Sequence, residues 1–431
     1  MLKLSANRRF LATEDDRPFF YLGDTAWTLF QRLDRPEADM YLQDRAAKGF
    51  TVIQAVALSE FEGLSVPNPY GDLPLEGGDP ARPNDAYFRH VDYIVDRAEA
   101  LGLYIGLLPT WGDKVGPALW GAGPEIFTPE NAHHYGRFLG RRYRDRPIIW
   151  ILGGDRNPAH ERHVAIWRAL AEGLDQGDGG QHLMTFHPQG EASSSSFVHD
   201  EPWLDFNMLQ SGHAARNVAN YEAIMQDYNR IPVKPCMDGE ACYEDHPVDW
   251  QPENGYFEAY DVRKTAYWAL FAGAHGHTYG ANGVFQFWRA GQPDRFSARL
   301  PWQEALQLPG AAQMQHARKL LESRPFFERI PDQSLLASDA DVGTEHVQAT
   351  RAQDGSYAFI YTAAGRPVTV DLRKLSGKTI VARWYDPRQG TYQPQGDFAT
   401  GGLQEFRPPS GGTGNDWVLV LDDAARTFAV E

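Results

Sequence analysis

Two acidic residues in glycine-marked settings carry the clearest chemical signal in this chain: Asp155 in GGDRNP and Glu240 in MDGEACYE. Two carboxyl groups facing each other across a cleft are what glycosidic-bond hydrolysis requires. One protonates the leaving oxygen, and the other attacks the anomeric carbon or activates water. Asp155 follows the apolar run IIWILGG, whose two glycines let the backbone turn sharply after a strand. A helix N-cap is its plain alternative, but the next helical pattern starts near His160 and Asn157 is better placed to cap it. Glu240 follows VKPCMDG, and its plain alternative is a generic acidic loop shared with Asp238, Glu244 and Asp245.

The elements around these residues supply the geometry. Short apolar runs at Phe19–Gly23, Thr51–Leu58, Tyr104–Pro109, Ile148–Leu152, Leu183–Phe186, Phe206–Leu209, Val233–Met237 and Gly283–Phe287 read as eight strands. Between them lie amphipathic helical patterns at Asp85–Leu101, Ala132–Arg144, His160–Leu174, Tyr221–Tyr228 and Val262–Ala272, with a last one at Ala311–Ser323. Repeated βα units of this number predict a (β/α)8 TIM barrel, an α/β fold whose chemistry sits at the C-terminal ends of the strands. Asp155 and Glu240 then end the fourth and seventh strands and face each other across the mouth.

The same rule selects the other polar residues just after strands. Asp24 is a candidate to bind a sugar hydroxyl, with a strand-end turn as its alternative. Trp27 and Trp111 are candidate pocket walls or core rings, and Glu60, Asp113 and Gln286 fall at further strand ends. His187 and Gln210 are placed to touch the sugar or orient Glu240. Arg156 is placed to hold a carboxylate by a charge-assisted bond, or to make a surface ion pair.

Near Pro331 the pattern changes to short alternating strands, at His346–Ala352, Tyr357–Tyr361, Val368–Leu372, Thr379–Tyr385 and Trp417–Leu421, separated by Gly-rich turns. The chain therefore reads as a catalytic barrel over residues 1–330 and a small C-terminal antiparallel β-sandwich over 331–431.

Composition narrows the function. A net charge of −16 without a Lys/Arg cluster argues against nucleic acid and an anionic membrane surface. The two cysteines, Cys236 and Cys242, fit neither a disulfide framework nor a zinc site. His275-x-His277 and His160-x-x-His163 lack further ligands at metal spacing, so neither metal nor cofactor is expected. The N-terminus lacks a signal-like apolar run, and the expected location is cytoplasmic. Aromatic residues make up 13% of the chain, enough both to pack a core and to stack on sugar faces.

The stretches GDTAW (23–27), GGDRN (153–157) and DGEACYE (238–244) resemble glycoside hydrolase family 140, the apiosidase-like family. The resemblance extends over nearly the whole chain, its C-terminal part being similar to the small β domain named there for collagen binding. It implies a retaining exo-glycosidase acting on terminal β-D-apiofuranosyl groups, with Asp155 as general acid/base and Glu240 as nucleophile. Many barrel glycosidases carry Asn-Glu at the end of strand four; this sequence has Gly-Asp, as the apiosidase-like pattern does. The expected partner is a small glycoside or oligosaccharide, with the oligomeric state left open. Another furanosidase, such as an α-L-arabinofuranosidase, and a non-catalytic carbohydrate-binding barrel remain as alternatives.

Overall fold

The computed structural model describes residues 1–116, 123–293 and 295–428. Eight parallel strands form the barrel: β1 (Tyr21–Thr25), β2 (Val52–Val56), β3 (Tyr104–Leu108), β4 (Ile148–Gly153), β5 (Met184–His187), β6 (Asn207–Gln210), β7 (Cys236–Asp238) and β8 (Gly276–Tyr279). Parallel pairing runs from β1 through β5, from β6 through β8, and from β8 back to β1. The β5/β6 seam is closed by Asp205 N–H donating to the Met184 carbonyl (2.9 Å) and by the Thr185 hydroxyl donating to the Phe206 carbonyl (2.7 Å).

The helices on the outside are α1 (Arg35–Ala47), α2 (Asp85–Ala100), α3 (Pro129–Tyr143), α4 (Glu161–Asp178), α5 (Asn220–Tyr228), α6 (Ala259–Phe271) and α7 (Pro309–Glu322). Each apolar stripe is buried against the strands, as at Val91, Ile94, Val95 and Ala98 of α2. Capping boxes start α1 at Asp34 and α3 at Thr128. No helix among the described residues is long and apolar enough to cross a membrane.

Strand parity decides which side chains reach the barrel interior, because successive residues point to opposite faces. Tyr21, Val52, Val56, Ile149, Ile151, Phe206, Met208 and Met237 form one inward cluster. Leu2 and Leu11, from an N-terminal antiparallel sheet of Leu2–Leu4, Leu11–Thr13 and Pro18–Phe19, join the same cluster.

One predicted strand is misplaced. Gly283–Phe287 is not the eighth strand: Asn282–Phe285 is a short helix, and β8 is the more polar HGHTYG stretch just before it. A short apolar run has no period long enough to tell a buried strand from a buried helical turn.

From Arg329 onward the chain is antiparallel. The strands β9 (Arg329–Pro331), β10 (Val347–Ala352), β11 (Tyr357–Thr362), β12 (Val368–Asp371), β13 (Thr379–Asp386), β14 (Thr391–Ala399), β15 (Leu403–Phe406) and β16 (Trp417–Asp423) make two sheets. One has the order β9-β10-β11-β16-β13-β14, and the other is the pair β12-β15. Their facing residues, including Ile360, Val370, Ile380, Trp384 and Leu419, form a separate apolar cluster. The outer face of the larger sheet packs on α6, where Tyr267 stacks on Tyr361 at 4.9 Å. Bidentate pairs Arg263–Asp416 and Arg324–Asp422 flank that contact.

Candidate active site

A cavity of about 860 Å³ opens at the C-terminal ends of the strands, and both Asp155 and Glu240 line it. Three successive left-handed residues, Gly153 (φ 86°), Gly154 (φ 115°) and Asp155 (φ 53°), carry the chain out of β4. The turn is wedged between neighbours. The Gly154 N–H donates to the His187 carbonyl on β5 (3.0 Å), and the Gly154 carbonyl accepts from Gly112 N–H (3.0 Å). A Cβ on Gly154 would lie 2.8 Å from the Trp111 ring, and one on Gly153 would lie 2.2 Å from the His187 carbonyl oxygen. The glycine pair is therefore what allows Asp155 its position. Gly154→Ala is expected to displace the carboxylate by a fraction of an ångström to an ångström, lowering kcat by about 10²-fold with KM less affected; steady-state kinetics on the soluble variant check this, and unchanged kcat would refute it.

Glu240 is held more tightly still. Gln54 on β2 donates across the barrel to the Gly239 carbonyl (2.9 Å), and the Glu240 carbonyl accepts from Gly212 N–H (3.0 Å). His187 Nε2 lies 2.9 Å from Glu240 Oε2, and His213 Nε2 lies 3.2 Å from Oε1. Burial alone would raise the carboxyl's pKa, but the hydrogen bonds and electrostatic attraction of His187 and His213 outweigh it and bring it down to about 2. Tyr243 adds a hydrogen bond to Glu240, and its hydroxyl accepts from Trp27 Nε1 (3.1 Å). The side chain is thus an ionised, oriented carboxylate at any ordinary pH. His187 Nδ1 also lies 2.9 Å from the Pro188 carbonyl oxygen and 3.3 Å from the Asp155 backbone nitrogen, so one imidazole touches both carboxylate-bearing residues.

Of the residues expected from sequence, Trp27, Trp111 and Gln210 line the cavity beside the two acids. The two indole rings lie 5.1 Å apart and pack against His187, so they serve as wall and core at once. Arg156 reaches Asp155 Oδ2 (3.2 Å) and Glu60 Oε1 (3.4 Å) and is a buried bridge rather than a surface pair. Three expectations need correction. Asp24 is fully buried outside the cavity, where it pairs with Arg45 (2.7 Å) and accepts from Tyr41 (2.5 Å). Strand β1 runs on to Thr25, and parity turns Asp24 toward α1 instead of the mouth. Asp113 is buried against Lys114 (2.7 Å) and accepts the Gly123 N–H (2.9 Å). Gln286 follows the short helix and donates to Asn282, because the strand expected to end there is not a strand.

Sequence reasoning missed His213, Tyr243, His246 and Trp250, and did not assign Glu60 a role. Two of them had a signal: His213 lies three residues past β6, and Tyr243 lies within the DGEACYE motif itself. Trp250 had none. It is half-exposed, in a left-handed pair with Asp249 (φ 55° and 56°), with its ring edge-on to His213.

A parallel barrel whose mouth cavity is lined by a histidine-clamped glutamate and a second carboxyl group has the arrangement of a glycoside hydrolase. The family model described as "Apiosidase-like, catalytic domain" matches residues 5–328, and the chain belongs to that family. Residues 330–422 match the model described as "Putative collagen-binding domain of a collagenase". A family 5 glycoside hydrolase from Bacteroides vulgatus is 35% identical with a TM-score of 0.91, over 99% of this chain and 93% of its own. A second glycoside hydrolase is 36% identical with a TM-score of 0.91, over 99% and 97%. An endo-1,4-β-D-mannanase from Thermotoga petrophila shares only the fold, at 15% identity and a TM-score of 0.50, over 70% of this chain and all of its own. A comparison with curated proteins gave no match.

Proposed function

We propose that this enzyme removes terminal β-D-apiofuranosyl groups from glycosides by double displacement, with Glu240 as nucleophile and Asp155 as general acid/base. The observation that carries the assignment of roles is the clamp on Glu240. A carboxylate fixed as an anion by His187 and His213 is suited to attack and unsuited to deliver a proton. In the first step Glu240 bonds to the anomeric carbon as the bond to the leaving oxygen breaks, and Asp155 gives that oxygen its proton. In the second, Asp155 takes a proton from water, the water oxygen bonds to the anomeric carbon, and Glu240 departs as carboxylate. Trp27, Trp111 and Gln210 are read as walls and a hydroxyl contact of the sugar subsite. The choice of apiose rests on family membership. The β unit over 331–431 is read as a support for α6 and α7.

Release of 4-nitrophenol from 4-nitrophenyl β-D-apiofuranoside and from the α-L-arabinofuranoside tests the sugar. Faster cleavage of the apioside is expected. Cleavage of the arabinofuranoside alone transfers the enzyme to another furanosidase, and saturable sugar binding without turnover makes it a binding barrel.

A further inference from the structure

The cavity wall carries a third carboxyl group that the two-step mechanism does not use. Glu60 projects from the loop after β2 onto the wall that Asp155 occupies. Arg156 lies buried beside both, with Nη1 3.2 Å from Asp155 Oδ2 and Nη2 3.4 Å from Glu60 Oε1. We propose that Glu60 is a positioning residue for acid/base catalysis, acting with Arg156 to set the proton affinity of Asp155. The proposal rests on the role given to Asp155 above.

The need for such a residue follows from the charges around Asp155. Arg156 is attached to the same turn and favours the ionised carboxylate, whereas a general acid must begin protonated. Glu240, across the cavity, is engaged by His187 at 2.9 Å and His213 at 3.2 Å. Asp113 and Lys114, from the turn after β3, are paired with each other at 2.7 Å. His187 approaches Asp155 from β5, its Nδ1 3.3 Å from the Asp155 backbone nitrogen. Among the described residues, Glu60 is the carboxylate that shares the Arg156 guanidinium with Asp155. Its own carboxyl is pushed up to about 7, first by burial and then by the charge of Asp155, over the opposing effects of Arg156 and Lys114. Two carboxyls sharing one guanidinium retain their last proton to higher pH than one carboxyl would, because losing it leaves two like charges together. The pair holds that last proton jointly; it reaches the leaving oxygen through Asp155, and water replaces it in the second step.

The alkaline limb of kcat/KM against pH reports loss of that proton from the free enzyme. With 4-nitrophenyl β-D-apiofuranoside and the full-length enzyme, Glu60→Gln is expected to move this limb about one pH unit to lower pH, while the plateau below it keeps most of its height. Glu60→Asp should restore the limb, and Arg156→Gln should move it the other way. A titration needing no substrate separates this proposal from the sugar assignment. The side-chain carboxyl of Asp155 is followed by NMR in enzyme carrying 13C-labelled aspartate, identified by its loss in Asp155→Asn, and Glu60→Gln should lower its midpoint by a similar amount. An Asp155 midpoint unchanged in Glu60→Gln overturns the proposal, even if kcat falls. If the NMR midpoint shifts but no apioside is cleaved by the wild type, the proposal stands and the sugar is another.

Discussion

Glu240→Ala is expected to lose at least about 10⁴-fold in kcat on every glycoside the wild type cleaves, whatever the leaving group. With Glu240 as the proposed nucleophile, its loss would leave no covalent intermediate to form, so a better leaving group should give little help. Asp155→Ala behaves differently. Its first step slows by about 10²–10⁴-fold for leaving groups that need a proton, and hardly at all for 2,4-dinitrophenolate, which departs as an anion. The glycosyl-enzyme then accumulates, because nothing deprotonates the attacking water, and a burst of phenolate precedes slow turnover. Azide separates the two variants stereochemically. In Asp155→Ala it attacks the intermediate and gives a glycosyl azide of retained configuration. In Glu240→Ala it fills the space left by the carboxylate and gives the inverted azide. NMR of the products reads both outcomes. Wild-type turnover in Glu240→Ala, or a retained azide from it, would remove Glu240 as the nucleophile.

Both acids were legible in the sequence for a physical reason. An apolar run followed by glycine and a carboxylate marks the point where a buried strand reaches the mouth of a barrel, and IIWILGGD and VKPCMDGE are both of this kind. What tightens Glu240 was less visible. His213 and Trp250 sit on loops whose path is fixed by contacts such as Asp249 N–H to the His213 carbonyl, and no local periodicity encodes such a contact. The eighth strand was missed for the opposite reason. In HGHTYG the residues at the barrel are polar, His277 and Thr278 among them, while the neighbouring VFQFW is apolar because it is packed, not because it is a strand. The fold class survived this error because the other seven runs, and the helices between them, fixed the βα alternation.

Asp24 gives the largest expected effect on stability, and separates a mouth residue from a framework residue. Its carboxylate and the Arg45 guanidinium are both fully buried, with Arg45 Nε 2.7 Å from Oδ2 and the Tyr41 hydroxyl on the same oxygen. The Arg45 guanidinium also lies within about 6 Å of the rings of Tyr41, Phe50 and Tyr279, which leave little room for water. Asp24→Ala strands that cation in the layer between β1 and α1. Breaking a buried pair from one side costs about 3–5 kcal/mol, and the lower end applies here because Arg45 keeps Asp44 at 2.7 Å. The variant should therefore unfold at markedly lower urea, while the fraction that remains folded keeps a wild-type KM, since Asp24 does not line the cavity. Asp24→Leu combined with Arg45→Met removes both charges and should recover most of the loss, because two apolar side chains of similar size suit that layer as well as the ion pair does. A raised KM at unchanged urea midpoint would return Asp24 to the sugar. The GDTAW motif would then mark a subsite; on the geometry of β1 it marks the anchor that fixes the first strand to its helix and sets Trp27, three residues on, against the wall beside Glu240.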